Sequence, residues 1–278
     1  MRYCLNYNKT LKKKIFSKIN ELIVTYQEND MELLGFCQKY KDKRIIVDVQ
    51  DFDGFKQSNG INKIKGIKEA ISELDITLRI PCLKENFDLC KENNISFFCS
   101  RFANNWEIFR GFVKEGVSDI YITEGLCFDI KQCAEIAHSN NIYIRVFPDI
   151  AQSSWFYEED ITKFFIRPDD LIQYEPYIDT LEFIGHSDNQ SAMCEIYQSQ
   201  KWAGPLKEII TDFNLDIDNR TIVPRFAQNR LNCQKKCLKG SSCNICKTIF
   251  ELAETLQNKN IVVKNKKLEK ESIVEKEK

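Results

Sequence analysis

The sequence has little histidine and glycine, and it lacks long apolar runs. With 2 His in 278 residues it contains no H-E-x-x-H helix, so a zinc-peptidase site of that type is excluded. With 10 Gly it shows no glycine-rich phosphate loop after an early strand, the usual mark of an open doubly wound nucleotide-binding sheet. Charged residues interrupt every apolar run before the roughly 18 residues that a membrane span needs.

The chain also lacks a strong charge of either sign. Its formal net charge is -1, so the composition as a whole does not indicate nucleic acid or a membrane surface as a partner. The first residues have no apolar core of the kind found in secretion signals. We therefore expect a cytoplasmic protein without a membrane segment, whose 12 cysteines are thiols rather than disulfides.

Short apolar or β-branched runs alternate with segments of helical period, which predicts parallel βα units. Eight such runs predict a (β/α)8 TIM-type barrel over residues 1–200, with an open or incomplete sheet as the alternative. The predicted strands are Tyr3–Tyr7, Arg44–Val49, Ile76–Ile80, Ile95–Cys99, Asp119–Thr123, Ile142–Phe147, Lys163–Arg167 and Thr180–Ile184. Predicted helical faces between them include Leu11, Ile15, Ile19 and Leu22, and also Ile130, Cys133, Ala134 and Ala137.

Four closely spaced cysteines follow the predicted barrel. Within residues 201–257 we expect a helix at 206–213, a four-cysteine metal knuckle and a last helix, and then a charged tail over 258–278. The knuckle has the spacing C-x3-C-x5-C-x2-C, formed by Cys233, Cys237, Cys243 and Cys246. Four thiolates can hold a zinc ion or a [4Fe–4S] cluster, and the spacing does not choose between them. The alternative is four cysteines packed as small hydrophobic residues.

The segment around the knuckle is strongly basic. Residues 220–250 contain seven basic side chains and no acidic one. Nearby cations favour thiolates, and they could also hold the phosphate backbone of RNA.

Polar residues interrupt the predicted strands or follow their carboxyl ends, which is where barrel enzymes place their chemistry. Buried arginine needs a carboxylate or a bound anion to offset its desolvation, so a polar or anionic substrate is expected. The candidate catalytic residues are Glu182, Arg167 and Arg145, and the candidate substrate-binding residues are Arg79, Asp48, Glu124 and His186. The alternative is that these side chains form salt bridges between neighbouring strands.

The stretch Phe165–Leu171, followed by Tyr177–Gly185, reads F-I-R-P-D-D-L and then Y-I-D-T-L-E-F-I-G. It resembles the "P-x-D-L … I-D-x-x-x-I-E-G" stretch of the peptidase U32 (collagenase-like protease) family. The resemblance implies a barrel enzyme, either a peptidase or an iron–sulfur protein that hydroxylates RNA bases or the ubiquinone ring. The chain departs from the family pattern because Asp149–Lys163 contains no cysteine, whereas the family's cluster cysteines lie largely upstream of the P-x-D-L segment.

The sequence therefore leaves three alternative functions. The first is a metal-dependent, U32-like barrel enzyme acting on a polar or anionic substrate, with an electron donor if the centre is iron–sulfur. The second is a non-catalytic binding barrel with a structural zinc knuckle. The third is a peptidase-like hydrolase, for which the sequence offers no clear pair of nucleophile and base.

Overall fold

The computed structural model describes residues 1–7, 11, 13–27, 31–151, 163–184, 187–233 and 244–263. They form two compact units. The barrel unit comprises residues 1–147 and 175–195, and the second unit comprises residues 148–174 and the chain from 196 onward. The second unit therefore takes 148–174 as well as the C-terminal segment, whereas the sequence-based division places all of 1–200 in the barrel.

The barrel unit contains a sheet of eight parallel strands. They are β1 (Arg2–Asn6), β2 (Glu21–Thr25), β3 (Arg44–Asp48), β4 (Ile76–Ile80), β5 (Ser96–Cys99), β6 (Asp119–Tyr121), β7 (Tyr143–Val146) and β8 (Thr180–Phe183). The order is β5-β4-β3-β2-β1-β8-β7-β6, so β5 and β6 are the two edges. Two backbone hydrogen bonds join these edges, from Ser118 N to Phe97 O (2.8 Å) and from Ala103 N to Tyr121 O (2.8 Å). The sheet is thus a nearly closed α/β barrel, as predicted.

Ten α-helices occur among the described residues. They are α1 (Met31–Lys39), α2 (Phe52–Gln57), α3 (Gly60–Ala70), α4 (Lys84–Glu92), α5 (Trp106–Glu115), α6 (Ile130–Ser139), α7 (Leu171–Tyr174), α8 (Ser187–Ser199), α9 (Phe226–Leu231) and α10 (Ile245–Asn258). Short 3-10 turns lie at Lys13–Ser17, Glu124–Asp129, Pro168–Asp170, Leu206–Glu208 and Asn219–Thr221. No helix in these parts of the chain is long and apolar enough to span a membrane.

Helix α5 shows how the sequence sets the boundaries of these elements. Asn105 is the N-cap, and its side-chain oxygen accepts a hydrogen bond from the backbone N–H of Ile108 at 3.0 Å. Phe109 and Phe112 are buried on one face of the helix. Gly116 ends it with a φ of +67°, a conformation that costs glycine little because it has no Cβ.

Two strand predictions were wrong although the total of eight was right. The segment with Leu11, Ile15, Ile19 and Leu22 was predicted as one helix, but it contains the turn Lys13–Ser17 and then strand β2. Conversely, Lys163–Arg167 is not one of the sheet strands and belongs to the second unit. The predicted helix at 206–213 is reduced to the short turn Leu206–Glu208. The buried stripe of α6, with Ile130, Cys133, Ala134 and Ala137, is confirmed.

The second unit has an aromatic core. Phe165 packs against Phe213 and Phe226, with ring centroids 5.0 and 5.6 Å apart. Phe250, from the buried face of α10, completes this cluster against Phe213 and Phe226. The hydroxyl of the fully buried Tyr197 lies 2.7 Å from the carbonyl oxygen of Ile166, which ties two chain segments of the unit together.

Candidate functional site

Strand register makes the interior of the barrel strongly polar. Alternate residues of a strand share a face, and the parallel register aligns these faces around the ring. The residues on the same face as Arg145, strand by strand, are Arg2, Cys4 and Asn6; Glu21, Ile23 and Thr25; Arg44, Ile46 and Asp48; Thr77 and Arg79; Ser96 and Phe98; Asp119 and Tyr121; Tyr143; Thr180 and Glu182. In most barrels this space holds bulky branched apolar side chains.

Arg145 of β7 is the centre of an ion-pair network. Its side chain is fully buried. Nη1 donates to Glu21 Oε2 at 2.6 Å and to Asp119 Oδ1 at 3.0 Å, and Nη2 donates to Glu182 Oε2 at 3.2 Å. One guanidinium thus joins carboxylates from β2, β6 and β8.

Arg44 and Arg2 extend the network towards the amino ends of the strands. Arg44 holds both oxygens of Asp119, at 2.8 and 2.7 Å, a bidentate pairing that suits the planar guanidinium. Its Nη2 also donates to Thr77 Oγ1 at 3.0 Å. Arg2 donates to Glu21 Oε1 at 2.8 Å and packs over the ring of Tyr143, 3.8 Å from the ring centroid.

Arg79 extends the network towards the carboxyl ends. Its Nε donates to Asp48 Oδ1 at 2.8 Å, and its Nη1 lies 3.1 Å from both Glu182 Oε1 and the Tyr121 hydroxyl. Tyr121 in turn donates to Glu182 Oε2 at 2.6 Å. The structure therefore brings together four of the predicted site residues: Asp48, Arg79, Arg145 and Glu182.

The network is balanced in charge. It contains four cations and four buried carboxylates, namely Arg2, Arg44, Arg79 and Arg145 with Glu21, Asp48, Asp119 and Glu182. The exposed Asp75 adds a longer contact, 3.5 Å from Arg44 Nε. Taking a charge out of water is costly, and the cost is offset only when partners and hydrogen bonds are well placed. The predicted alternative of salt bridges between strands therefore describes most of these side chains.

The pKa shifts follow from this arrangement. Burial alone raises the pKa of Asp119, but Arg44 and Arg145 outweigh it, so its pKa falls from 3.8 to about 2. Burial also raises the pKa of Glu21, but the neighbouring arginines, Arg145 foremost, outweigh this effect, so its pKa is lowered. Burial, and then the charge of Glu182, raise the pKa of Tyr121 well above its usual value, so this hydroxyl keeps its proton and donates it.

Arg79 lies near the carboxyl ends of the strands, where its side chain is partly exposed. Its side chain is 16% exposed, whereas those of Arg44 and Arg145 are 5% and 0% exposed. Within the described residues its Nη2 has no hydrogen-bond acceptor, because the bonds of Arg79 use Nε and Nη1. A cation of fixed orientation with one free donor can bind an anionic or polar group.

An aromatic group lies beside this cation. Tyr121 stacks on Phe147 with ring centroids 5.3 Å apart, and Phe102 packs edge-on against both rings. Phe102 is 42% exposed, which is unusual for a phenylalanine. The Nη1 of Arg79 and the exposed ring of Phe102 thus contact the same tyrosine.

Glu182 occupies a position that argues against a role as general base. Its carboxylate accepts hydrogen bonds from Arg79, Tyr121 and Arg145 and is fully buried. Three donors, two of them cationic, occupy most of the lone pairs that a base needs. A catalytic role for Glu182 stays a prediction, and the geometry presents it as the counterion that orients Arg79 and Tyr121.

Arg167 lies in the second unit rather than on a barrel strand. Its Nε and Nη2 donate to the two oxygens of Asp170 at 2.6 and 2.7 Å, and its Nη1 donates to Asn219 Oδ1 at 3.1 Å. All three side chains are buried. This bidentate pair fixes the turn Pro168–Asp170 against Asn219, while the predicted catalytic role of Arg167 stays untested.

Several predicted site residues fall outside the described parts of the chain. They are His186, Cys237 and Cys243, together with the side chain of Glu124. Cys233 and Cys246, the other knuckle cysteines, are both partly exposed. Among the side chains that the structure describes, no group of three His, Cys, Asp or Glu residues could hold a metal ion.

Sequence reasoning missed five members of the network: Arg2, Glu21, Arg44, Asp119 and Tyr121. Glu21 was missed because its segment was assigned to a helix. Arg44 and Asp119 were missed because they begin their strands, whereas site residues were predicted within the strands or at their carboxyl ends. The sequence did contain a signal for this network in the alternation Arg44, Ile46, Asp48. These residues share the inner face of a buried strand, and buried charges at both of its ends require partners on other strands.

No protein-family model matches the chain, and no curated protein is significantly similar to it. The resemblance to the peptidase U32 family therefore stays a prediction.

Proposed function

We propose that this protein is a barrel enzyme that binds a polar or anionic substrate at the carboxyl ends of the strands and modifies it there. The observation that carries the proposal is the orientation of Arg79: Asp48 and Glu182 hold its Nε and Nη1, and its Nη2 has no acceptor among the described residues. The exposed ring of Phe102 packs against Tyr121, which bonds to the same arginine. Barrel enzymes place substrates at this end of the sheet. Because the fold alone does not specify a function, the proposal depends on this site.

Arg79 has the role of anchoring the anionic group. Nε and Nη1 are committed to Asp48 and Glu182, so the guanidinium loses little further freedom when Nη2 binds a ligand. Tyr121 keeps its proton and supports the same carboxylate. Phe102 offers a flat, partly exposed apolar surface against Tyr121, which suits a substrate with a planar part.

Inorganic phosphate is a probe for this site. We expect it to raise the melting temperature of the wild type, because a ligand that binds the folded state stabilises it. Arg79→Lys keeps the charge but loses the fixed fork, and we expect about a 10-fold weaker affinity, or about 1.4 kcal/mol. The measurement is melting temperature against phosphate concentration.

Arg2→Lys is the matched control, since Arg2 belongs to the same network but begins its strand at the opposite end. Its phosphate affinity should equal that of the wild type. Equal phosphate affinities for the wild type and both variants would show that Arg79 does not bind phosphate. If phosphate does not stabilise the wild type, the proposed anion site is wrong.

We further propose that the four knuckle cysteines hold a [4Fe–4S] cluster or a zinc ion. The support is the sequence: four thiols within fourteen residues, in a segment of seven basic residues without an acidic one. A cluster would supply electrons to the substrate reaction, whereas zinc would stabilise the C-terminal segment. RNA remains a candidate partner of this segment, but Arg230 is buried and stacks on Phe226, so it does not add to an exposed basic surface.

Metal analysis of protein prepared without oxygen tests the proposed metal centre at the four cysteines. We expect stoichiometric iron with absorbance near 400 nm, or stoichiometric zinc in a colourless protein. Cys243→Ser should release most of the metal, while Cys133→Ser, which changes a buried cysteine of α6, should retain it. Full metal content in Cys243→Ser would contradict the proposed ligand set.

A non-catalytic binding barrel is the second candidate, and one observation favours it. The carboxylate of Glu182 is buried and accepts hydrogen bonds from Arg79, Tyr121 and Arg145, so the interior offers a binding cation but no readily available base from this residue. Zinc instead of iron, combined with phosphate binding at Arg79, would support this candidate over the enzyme.

A further inference from the structure

Large apolar side chains are exposed at the carboxyl ends of the barrel strands. Leu83 lies three residues after the end of β4 and is 53% exposed, and Phe102 lies three residues after the end of β5. Ile184 directly follows β8 and is 40% exposed. Within the described barrel unit these are three of the five large apolar side chains that are exposed. We call these three residues the apolar rim.

The pairing of β4 with β5 brings two segments of the apolar rim out of the sheet next to each other. Ile80, the last residue of β4, pairs in register with Cys99, the last residue of β5. The backbone N–H of Ser100 then donates to the carbonyl oxygen of Ile80 at 2.9 Å, so the two chains are still joined where they leave the sheet. Leu83 and Phe102 therefore follow neighbouring strand ends at the same distance along the chain.

The apolar rim is connected to the partly exposed Arg79. The ring of Phe102 lies 5.4 Å from the ring of Tyr121, whose hydroxyl is 3.1 Å from Arg79 Nη1. On the other side of the barrel, Ile184 follows Glu182 by two residues, and Glu182 Oε1 accepts a hydrogen bond from the same Nη1 at 3.1 Å. A ligand with an anionic head at Arg79 would therefore have the rest of its body at the rim.

The two ends of the barrel differ in their apolar surface. A single exposed apolar side chain is ordinary on a protein surface, whereas apolar surface gathered around a few polar groups is typical of sites for small molecules. At the amino ends the exposed Tyr143 carries the guanidinium of Arg2 over its ring, 3.8 Å from the ring centroid. Among the described residues, the carboxyl end thus combines an open apolar surface with a cation.

We propose that the substrate is an organic anion with an apolar, ring-containing body. Its anionic head binds Arg79, and its ring packs on Phe102 within the apolar rim. The side chains of the rim have no hydrogen-bonding groups, so a hydroxyl-rich body such as that of a sugar would lose water there without gaining partners. This inference rests on the proposed function, because it uses the same anion site and adds the chemistry of the rest of the substrate.

Two phosphate monoesters with the same head and different bodies test the inference. Phenyl phosphate has an apolar ring, whereas glycerol 1-phosphate has a body rich in hydroxyl groups. We expect the full-length wild type to bind phenyl phosphate about 10-fold more tightly, because packing against an aromatic ring adds to the binding of the head. The affinities are measured from the melting temperature at a series of ester concentrations.

Two variants locate this preference. Phe102→Ala should lose most of it, while its affinity for glycerol 1-phosphate stays near that of the wild type. Leu34→Ala, which removes an exposed leucine of α1 outside the rim, should keep the full preference. If Phe102→Ala does not fold, the ratio of the two affinities in the wild type decides.

The contradicting results separate this inference from the proposed anion site. Equal affinities of the wild type for the two esters, with both weakened by Arg79→Lys, would overturn the apolar body and leave the anion site in place. A preference for phenyl phosphate that Phe102→Ala retains would overturn the role of the rim. Binding of neither ester would overturn both proposals.

Discussion

Replacing Arg145 with Met is expected to destabilise the protein by about 3–5 kcal/mol. Arg145 is fully buried and hydrogen-bonds to Glu21, Asp119 and Glu182. Methionine has a similar length, so the loss comes mainly from three carboxylates left with too few cations in a medium of low polarity. Urea denaturation at neutral pH, followed by circular dichroism, measures the free energy of unfolding.

Arg110→Met is the matched control for this change. Arg110 is an exposed residue of α5, and its substitution should alter stability by no more than about 0.5 kcal/mol. A double-mutant cycle with Glu21→Gln refines the test, because removing the carboxylate together with its cation should cost less than the sum of the single changes. Additive losses of unfolding free energy in the double-mutant cycle would show that Arg145 and Glu21 do not interact. A loss for Arg145→Met no larger than that for Arg110→Met would show that the network does not stabilise the barrel.

Acid is expected to destabilise the barrel over a defined range of pH. Arg44 and Arg145 lower the pKa of Asp119 to about 2, below the ordinary value of 3.8. A carboxylate with a depressed pKa in the folded state stabilises the protein above its unfolded pKa, and this contribution is lost as the pH falls through the folded value. Asp119 alone contributes on the order of 2 kcal/mol, lost between about pH 4 and pH 2. Glu21, whose pKa is also lowered, adds to the same trend.

Asp119→Asn separates this effect from general acid unfolding. The amide does not titrate, so the variant should be less stable at neutral pH and its stability should fall less steeply between about pH 4 and pH 2. Glu69→Gln, on the exposed part of α3, should keep the wild-type slope. Urea midpoints at a series of pH values give the comparison, and parallel slopes for the wild type and Asp119→Asn would contradict the assigned pKa.

The barrel could be predicted because its strands have a strong local signal. Arg44–Asp48 and Ile76–Ile80 are apolar runs of the length of a buried strand, and the structure confirms both. Strand β2 escaped prediction because Leu11, Ile15, Ile19 and Leu22 match a helical period by coincidence, and tertiary pairing overrides such patterns. Lys163–Arg167 has the composition of a strand, but its aromatic residues pack in the core of the second unit.

The candidate site could be predicted in part for a similar reason. Arg79, Arg145 and Glu182 interrupt apolar strands, and a buried charge requires partners, so their convergence follows from the sequence. Which carboxylate faces which arginine depends on register across the sheet, and the sequence does not encode register locally.

The role of each arginine depends on its depth in the barrel rather than on its residue type. Arg145 lies in the middle and has no exposed surface, so it holds the structure together. Arg79 lies nearer the carboxyl ends and is partly exposed, and its Nη2 has no acceptor in the described parts of the chain, so we propose that it binds a ligand. This difference in depth is the basis on which we propose a substrate site at Arg79.

Nitrogen-15 NMR of the arginine side chains gives the most direct test of this assignment. With arginine labelled and phosphate added, the account predicts that the Nε–H signal missing from spectra of Arg79→Lys will shift in the wild type. The signals of the buried Arg44 and Arg145 should stay where they are. Phosphate binding that shifts another arginine and leaves the Arg79 signal unchanged would contradict the account.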